Sequence, residues 1–222
     1  MAISRSQLAK MIDSTLLKPP ATKDDIEKLC REAEKHGFGC VCVNPIYVSL
    51  ATKLLKGTEV KVCSVIGFPF GSTLPEVKVF EARRAVENGA REVDMVINIG
   101  ALKSGDHGTV KQDIEMVMDL KRLYSDLIVK VIIEAGYLTS EEKVMACRLV
   151  KEAGADFVKT STGIVGGATI EDVQLMRQTV GNDMGVKAAG GIRTLKDALA
   201  MIEAGANRIG KSSAVAIIEE LT

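Results

Sequence analysis

Four stretches decide the fold: HGFGCVC at residues 36–42, NGAREVD at 88–94, AGADFVK at 153–159 and AGANRIG at 204–210. Each has a glycine at the end of an amphipathic segment, followed by a short run that reads as a strand. Gly37, Gly89, Gly154 and Gly205 suit the left-handed position just past a helix end, where a residue without Cβ is least strained. Counting five residues on from each glycine reaches Cys42, Asp94, Lys159 and Gly210. If the four units are equivalent, these positions share one register near the C-terminal ends of their strands.

Working outward, the same alternation covers the chain. Apolar or β-branched runs predict strands over Met11–Leu17, Gly39–Val43, Val60–Ile66, Glu92–Ile97, Val129–Glu134, Asp156–Thr160, Val186–Ala189 and Asn207–Gly210. Amphipathic segments predict helices, among them Asp24–Lys35, Glu76–Glu87, Val110–Leu123, Ser140–Glu152, Ile170–Gln178 and Lys196–Glu203. Runs such as VKVCSVI, VDMVINI and VKVIIEA suit strands buried on both faces, as in a parallel sheet. Eight strands in 222 residues fit a single-domain (β/α)8 TIM barrel, whose active site lies at the C-terminal face of the strands. An open doubly wound sheet would carry a nucleotide-binding glycine fingerprint after its first strand; there is no GxGxxG there and no GxxxxGK[ST] anywhere. No Pro/Gly/Ser-rich linker divides residues 1–222, so the reading is one barrel domain opened by a short N-terminal helical segment.

Composition narrows the function. Lys plus Arg equals Asp plus Glu at 29 each, so no global charge recruits nucleic acid or an acidic membrane, and any anion site must be local. Aromatics are 4% and Trp is absent, which leaves the core to Val, Ile, Leu, Ala and Met. The five cysteines, an odd number without a CxxC pair, read as buried thiols of a reducing cytoplasm. His36 and His107 are the only histidines, and no metal site is expected. The N-terminal stretch MAISRSQLAKMIDSTLL lacks a continuous apolar signal core, and no run reaches membrane-span length.

Lys159, in Asp156-Phe157-Val158-Lys159-Thr160, is the first candidate for chemistry. A lysine inside an apolar strand is costly unless it is paired or neutral. Alone, it would most simply point into solvent at the strand end. Lys187 changes that reading, because it sits in the next strand, also after a valine and also before a small-residue loop. Adjacent parallel strands lie about 4.8 Å apart. A free lysine has a pKa of about 10.4 and is almost wholly protonated at neutral pH. A nucleophilic amine needs that value lowered by desolvation or a neighbouring cation. One lysine can hold the charge while the other attacks a carbonyl, and spacing does not say which. Asp94 is either a structural partner for a lysine or a proton carrier, and the two roles are compatible. Asp13 is a weaker candidate of the same kind that equally suits a turn or cap. Lys130 shares side-chain parity with Glu134 on VKVIIE and suits the barrel interior, where an ion pair would also explain the two. Thr160 adjoins Lys159 as a supporting candidate. Cys42 shares the site register but has no histidine partner to make it a nucleophile.

The last two units carry an anion signature. Gly190-Gly191 follows strand seven, and Gly210-Lys211-Ser212-Ser213 follows strand eight and opens the helical run AVAIIEEL. Glycines let backbone N–H groups approach a phosphate, and a helix N-terminus adds a favourable field. Loops after strands seven and eight are the common phosphate site of such barrels. Gly163-Ile164-Val165-Gly166-Gly167 is a third glycine-rich loop placed to close over the same ligand. Gly67-Phe68-Pro69-Phe70-Gly71 reads as a shaped loop lining the mouth.

The segments IDSTLLKP, VCVNPIYV, VIGFPFG, EVDMVINIG, KVIIEAGYLT, FVKTSTG, GVKAAGGIRT and GANRIGKSS resemble the successive motifs of the deoxyribose-phosphate aldolase family, from the first strand to the last helix. FVKTSTG and VKAAGGIR are the most specific of them. The resemblance implies a class I aldolase that reversibly cleaves 2-deoxyribose 5-phosphate to glyceraldehyde 3-phosphate and acetaldehyde without a cofactor. It implies that Lys159 forms the Schiff base, that Lys187 is the neighbouring cation and that Asp94 moves protons with a bound water. It also places Gly190, Gly191, Gly210, Ser212 and Ser213 at the phosphate. The chain departs from many members, which read DHTLL where Asp13-Ser14-Thr15 stands here. Some members have a phosphate lysine after the KTSTG glycine, where this chain has Ile164, and Lys211 is expected to supply that charge. The closing residues Glu220-Leu221-Thr222 offer no tyrosine of the kind some members bring to the site. Rival readings are another lysine-dependent sugar-phosphate aldolase or isomerase, and a phosphosugar-binding barrel without catalysis. The expected partners are phosphosugar and aldehyde substrates in the cytoplasm, and a homodimer or homotetramer fits the reading.

Overall fold

The computed structural model describes residues 3–212 and 214–221. Eight parallel strands close into a barrel in chain order. They are β1 (Ile12–Leu16), β2 (Cys40–Val43), β3 (Lys61–Ile66), β4 (Glu92–Val96), β5 (Ile128–Ile132), β6 (Phe157–Lys159), β7 (Gly185–Ala189) and β8 (Arg208–Lys211). A short helix α1 (Arg5–Lys10) precedes β1. The outer ring comprises α2 (Lys23–His36), α3 (Val48–Leu54), α4 (Pro75–Glu87), α5 (Ile99–Lys103), α6 (His107–Met118), α7 (Ser140–Glu152), α8 (Ile170–Val180), α9 (Leu195–Glu203) and α10 (Ala214–Glu219). All eight expected strands are present, with ends shifted by a residue or two. The helix expected over Val110–Leu123 starts earlier, because Asp106 caps it by accepting from Thr109 N, and it tightens into a 3-10 turn over Asp119–Arg122.

Capping chemistry sets the helix starts. Thr22, Thr139 and Thr194 each form a reciprocal box with Asp25, Glu142 and Asp197, so two orphan donors are satisfied at each start. At the other ends, Gly37, Gly89, Gly154 and Gly205 all take positive φ, between 68° and 113°, as the repeat required. The apolar core lies between the sheet and the helices, where Val41, Val93, Val129, Val131, Val158, Val186 and Ile209 are fully buried. Burying such a side chain contributes about 1.5–3 kcal/mol, so this shell holds the barrel together.

The pairing register shows what fills the inside. Cys42 pairs with Cys63 and Cys63 with Glu92, two residues before Asp94. Asp94 pairs with Lys130 and Lys130 with Phe157, two before Lys159. Lys159 pairs with Lys187 and Lys187 with Arg208, two before Gly210. A climb of one residue per strand is the stagger of an eight-stranded barrel of shear 8, so Cys42, Asp94, Lys159 and Gly210 stand at one height. The same construction gives a layer below from the odd strands, Asp13, Cys63, Lys130 and Lys187. Beneath that lies a third layer, Cys40, Glu92, Phe157 and Arg208. Barrels of this kind usually fill these layers with branched apolar residues. Here they hold seven ionisable side chains of Asp, Glu, Lys and Arg type.

Candidate active site

Lys159 ends β6 in the uppermost of the three layers, with its side chain 3% exposed. Its Nζ lies 2.8 Å from Asp94 Oδ2, and Lys187 Nζ lies 2.6 Å from the same oxygen. The two amines are therefore near neighbours, as their matched positions in adjacent strands suggested. Asp94 Oδ1 accepts from Lys130 Nζ at 2.8 Å and from the Cys63 thiol at 3.1 Å. Lys130 also contacts Glu92 Oε2 at 2.5 Å. Asp13 Oδ2 lies 2.5 Å from Lys187 Nζ, a contact made by charge rather than by an aligned hydrogen bond. Asp13 Oδ1 accepts from Arg208 Nε at 2.8 Å, and Arg208 Nη2 reaches Glu92 Oε2 at 2.8 Å.

These pairs fix the charge states. Burial opposes the Asp94 carboxylate, but Lys130, Lys159 and Lys187 outweigh it and hold it well below the usual range. Asp13 is held low in the same way by Lys187, Arg208 and Lys130 against burial. Burial alone would discharge Lys187, yet Asp13 and Asp94 raise it well above an ordinary lysine, so it stays a cation. Burial opposes the Lys130 charge too, but Asp94 and Glu92 outweigh it and raise Lys130 well above an ordinary lysine. Among the described residues of the three layers, Asp13, Glu92 and Asp94 balance Lys130, Lys187 and Arg208. That leaves Lys159 as the one cation in excess, sharing the Asp94 carboxylate with Lys130 and Lys187, and loss of its proton would make the buried interior electroneutral. An uncompensated buried charge costs several kcal/mol.

Two of the three interior thiols, Cys40 and Cys42, are pushed away from the thiolate form. A hydrogen bond with Cys63 and burial raise Cys42 well above an ordinary thiol, and burial does the same to Cys40. Cys63 is drawn down to about 6 against burial by Cys40, Cys42 and Lys130, but its contact with the Asp94 carboxylate requires the proton to remain on sulfur. Cys40, Cys63 and Glu92, and likewise Cys42, Cys63 and Asp94, gather donor atoms within 4.8 Å of one another. Their carboxylates are committed to Lys130, Lys187 and Arg208, and a metal ion would add positive charge to a cation-rich core. The carboxylates of both groupings belong to the interior ion-pair network.

Above the top layer a cavity of about 320 Å³ opens at the C-terminal ends of the strands. Lys159 lies at its base, and Gly163, Gly190, Gly210, Lys211 and Ser212 line it. Gly190 and Gly191 take φ of 83° and 76°, and the preceding loop packs so closely that a Cβ at Gly167 would meet the Gly190 carbonyl at 2.8 Å. Gly191 is exposed beside Gly190. At Gly210 a Cβ would approach Ala189 Cβ to 2.9 Å and Lys187 Cε to 3.3 Å, so the missing side chain leaves room for the Lys187 stem. Lys211 is half-buried, and burial with the nearby Arg193 lowers its affinity for a proton. Ser213 lies outside the described residues. Ile164 is exposed at the rim. Phe68, from the loop after β3, also lines the cavity, as that loop's sequence suggested.

Three sequence readings need amendment or addition. Thr160 is buried and donates to and accepts from Ala189, at 3.2 Å through Oγ1 and 3.1 Å from Ala189 N. It ties β6 to β7 through Ala189, which lines the cavity. Glu134 is not the ion-pair partner of Lys130. It sits past the end of β5 at φ 52° and accepts from Thr162 N and from Thr162 Oγ1, at 2.5 Å for the hydroxyl. A non-glycine residue in that region is uncommon and is retained where the surroundings fix it. Here it anchors the turn that carries Gly163. Glu92, Arg208 and the cavity-lining Lys18 were not singled out. The first two had a signal available: counting three residues, not five, from Gly89 and Gly205 reaches them.

Fold and site together define a (β/α)8 barrel built around a buried lysine amine, the arrangement of a Schiff-base enzyme. The model of the DeoC/LacD family aldolases matches residues 7–219, and the chain belongs to that family. A deoxyribose-phosphate aldolase of Thermococcus gammatolerans is 66% identical over 215 residues, covering 96% of this chain and 95% of the relative. One from a Thermoanaerobacter species is 64% identical over 214 residues, 96% of each chain. A solved tetrameric deoxyribose phosphate aldolase from Aeropyrum pernix superposes with a TM-score of 0.91 at 40% identity, covering 98% of this chain and 92% of the other. Among the described residues, no helix is long and apolar enough to cross a membrane.

Proposed function

We propose that this chain is a class I aldolase that reversibly cleaves 2-deoxy-D-ribose 5-phosphate to D-glyceraldehyde 3-phosphate and acetaldehyde. The observation that carries the reading is the Lys159 amine at the base of the cavity, in an interior whose charges balance without it. Neutral Lys159 attacks the open-chain aldehyde carbon, and loss of water from the carbinolamine leaves an iminium. That iminium accepts the electron pair of the breaking C–C bond as an enamine, while the hydroxyl at the far carbon gives up its proton and becomes the aldehyde of glyceraldehyde 3-phosphate. Protonation of the enamine carbon and hydrolysis release acetaldehyde and restore the amine. Asp94, in contact with both Lys159 and Lys187, serves these proton transfers together with water. Lys187 remains charged and disfavours a second charge on Lys159.

The glycines Gly163, Gly190, Gly191 and Gly210, with Lys211, Ser212 and Ser213, hold the phosphate. The grip fixes the far end of the substrate and so helps hold the scissile bond in place. We read residues 1–222 as one catalytic barrel domain acting in the cytoplasm as a homodimer or homotetramer. The exposed Phe70, Leu74 and Phe80, at 68%, 66% and 63%, support self-association, as does the tetrameric Aeropyrum relative. Reduction with borohydride in the presence of acetaldehyde tests the central assignment. Peptide mass mapping is expected to find a two-carbon adduct on Lys159. An adduct on Lys187 with Lys159 unmodified overturns it, and a substrate panel separates this aldolase from other lysine-dependent sugar-phosphate enzymes.

A further inference from the structure

The lowest interior layer contains an ion pair that the reaction does not touch. Arg208 Nη2 bonds Glu92 Oε1 and Oε2 at 3.1 and 2.8 Å, and the same guanidinium grips Asp13 Oδ1 through Nε and Nη2 at 2.8 and 2.6 Å. The Phe157 ring lies beneath it, 5.9 Å from centroid to Cζ. Asp13 then presents its other oxygen to Lys187, Lys187 reaches Asp94, and Asp94 reaches Lys159. This unbroken chain of opposite charges runs from the N-terminal end of the strands to the amine.

A cavity of about 650 Å³ opens at that end, larger than the one above Lys159, and Arg208 and Glu92 form part of its wall. Lys10 with Glu59 and Arg91 with Asp126 pair at its rim, and Lys61 is exposed there. The groups facing Arg208 are Asp13 on β1, Cys40 on β2, Glu92 on β4 and Lys187 on β7, with Lys130 on β5 contacting Glu92. Those facing Lys159 are Asp94 on β4 and Lys187 on β7, and Lys18 after β1 and Lys211 on β8 line the same cavity.

We infer that Arg208 and Glu92 are positioning residues that set, from the opposite end of the barrel, the pH at which the Lys159 amine becomes free to react. The inference rests on the reading of Lys159 as the nucleophile. Arg208 supplies one of the three cations that balance Asp13, Glu92 and Asp94. Burial works against its charge, and the pairs with Asp13 and Glu92 outweigh burial, so it stays protonated. Without it the interior carries one negative charge too many, and a proton on Lys159 restores the balance. Without Glu92 the imbalance is positive, and Lys159 is discharged more readily. Arg208 also holds Asp13 so that its second oxygen meets Lys187, which would otherwise be free to turn wholly to Asp94.

The test is Schiff-base trapping with acetaldehyde and cyanoborohydride across pH, with the labelled peptide identified by mass. Arg208→Met is expected to move the labelling midpoint of Lys159 to higher pH by about one unit, less than a change at adjacent Lys187 would, because the charge is more distant. Glu92→Gln is expected to move it the other way, Arg208→Lys to leave it close to wild type, and Arg208→Met with Glu92→Gln to return it. Where Arg208→Met does not fold, the direction of the Glu92→Gln shift decides alone. Midpoints that do not move, or that move in the same direction in both single variants, overturn the inference while Lys159 is still labelled. Absence of label on Lys159 in the wild type overturns the proposed mechanism instead.

Discussion

Replacing Lys187 by methionine removes a cation without emptying its volume. Lys159 and Lys187 lie 2.8 and 2.6 Å from the same Asp94 oxygen, which places the two nitrogens within about 5 Å of each other. At an effective dielectric constant of about 20, two unit charges at that separation repel by ~3 kcal/mol, equivalent to about two pH units. The substitution removes this repulsion and also leaves Asp94 Oδ2 wholly to Lys159. Both changes favour the protonated amine, so the rising limb of the pH–rate curve moves to alkaline pH. Near neutrality the reactive fraction falls about a hundredfold, and activity recovers as base is added. Breaking a buried pair costs about 3–5 kcal/mol where a partner is left alone. Here Asp13 keeps Arg208 and Asp94 keeps Lys130, so the low end of that range is expected and the fold survives. The assay is kcat/KM against pH, with circular dichroism melts as a control. Near-wild-type activity at neutral pH, or a loss of equal size at every pH in a folded variant, refutes the reasoning.

Two further outcomes follow from the same contacts. Asp94→Asn removes the carboxylate shared by Lys130, Lys159 and Lys187, and exchange of acetaldehyde methyl protons with solvent, followed by NMR, is expected to slow by about 10²–10⁴-fold. Unchanged exchange would leave Asp94 a purely structural role. Lys211→Ala is expected to weaken kcat/KM for deoxyribose 5-phosphate by roughly tenfold or more while sparing unphosphorylated deoxyribose, since a charge-assisted hydrogen bond contributes about 1.5–3 kcal/mol. Equal effects on both substrates would leave the phosphate to backbone N–H groups and serines.

Much of this architecture is readable before any coordinates, for a physical reason. A helix that must end abruptly and hand the chain to a buried strand recruits glycine at a positive φ, and four units did so at the same distance from an inward-facing residue. That common distance places Cys42, Asp94, Lys159 and Gly210 in one layer. The odd strands lack this marker, so Asp13, Cys63, Lys130 and Lys187 could be assigned to an interior only by parity or by neighbour. Glu92 and Arg208 were passed over because a charge at the start of a strand usually meets solvent. Their burial depends on closure of the sheet, which no local pattern expresses. Glu134 escaped for a similar reason: parity pointed it inward, but the chain turns to φ 52° just past the strand and sends it to Thr162.

The two faces of the sheet do different work. Toward the helices, Val93, Met95, Val129, Val131, Val158 and Val186 are fully buried among aliphatic neighbours, and this shell carries the apolar burial that stabilises the fold. Toward the axis, the same strands present Asp94, Lys130, Lys159 and Lys187, all at most 2% exposed. Ion pairs in such surroundings add little net stability over apolar side chains of similar size, because desolvation offsets their attraction. Their contribution is control of charge: fixed cations and anions in a dry interior act on a neighbouring amine far more strongly than they would in water. A barrel stabilised from outside can afford that interior. This is why alternate residues of the same short strands read as apolar core and as chemistry.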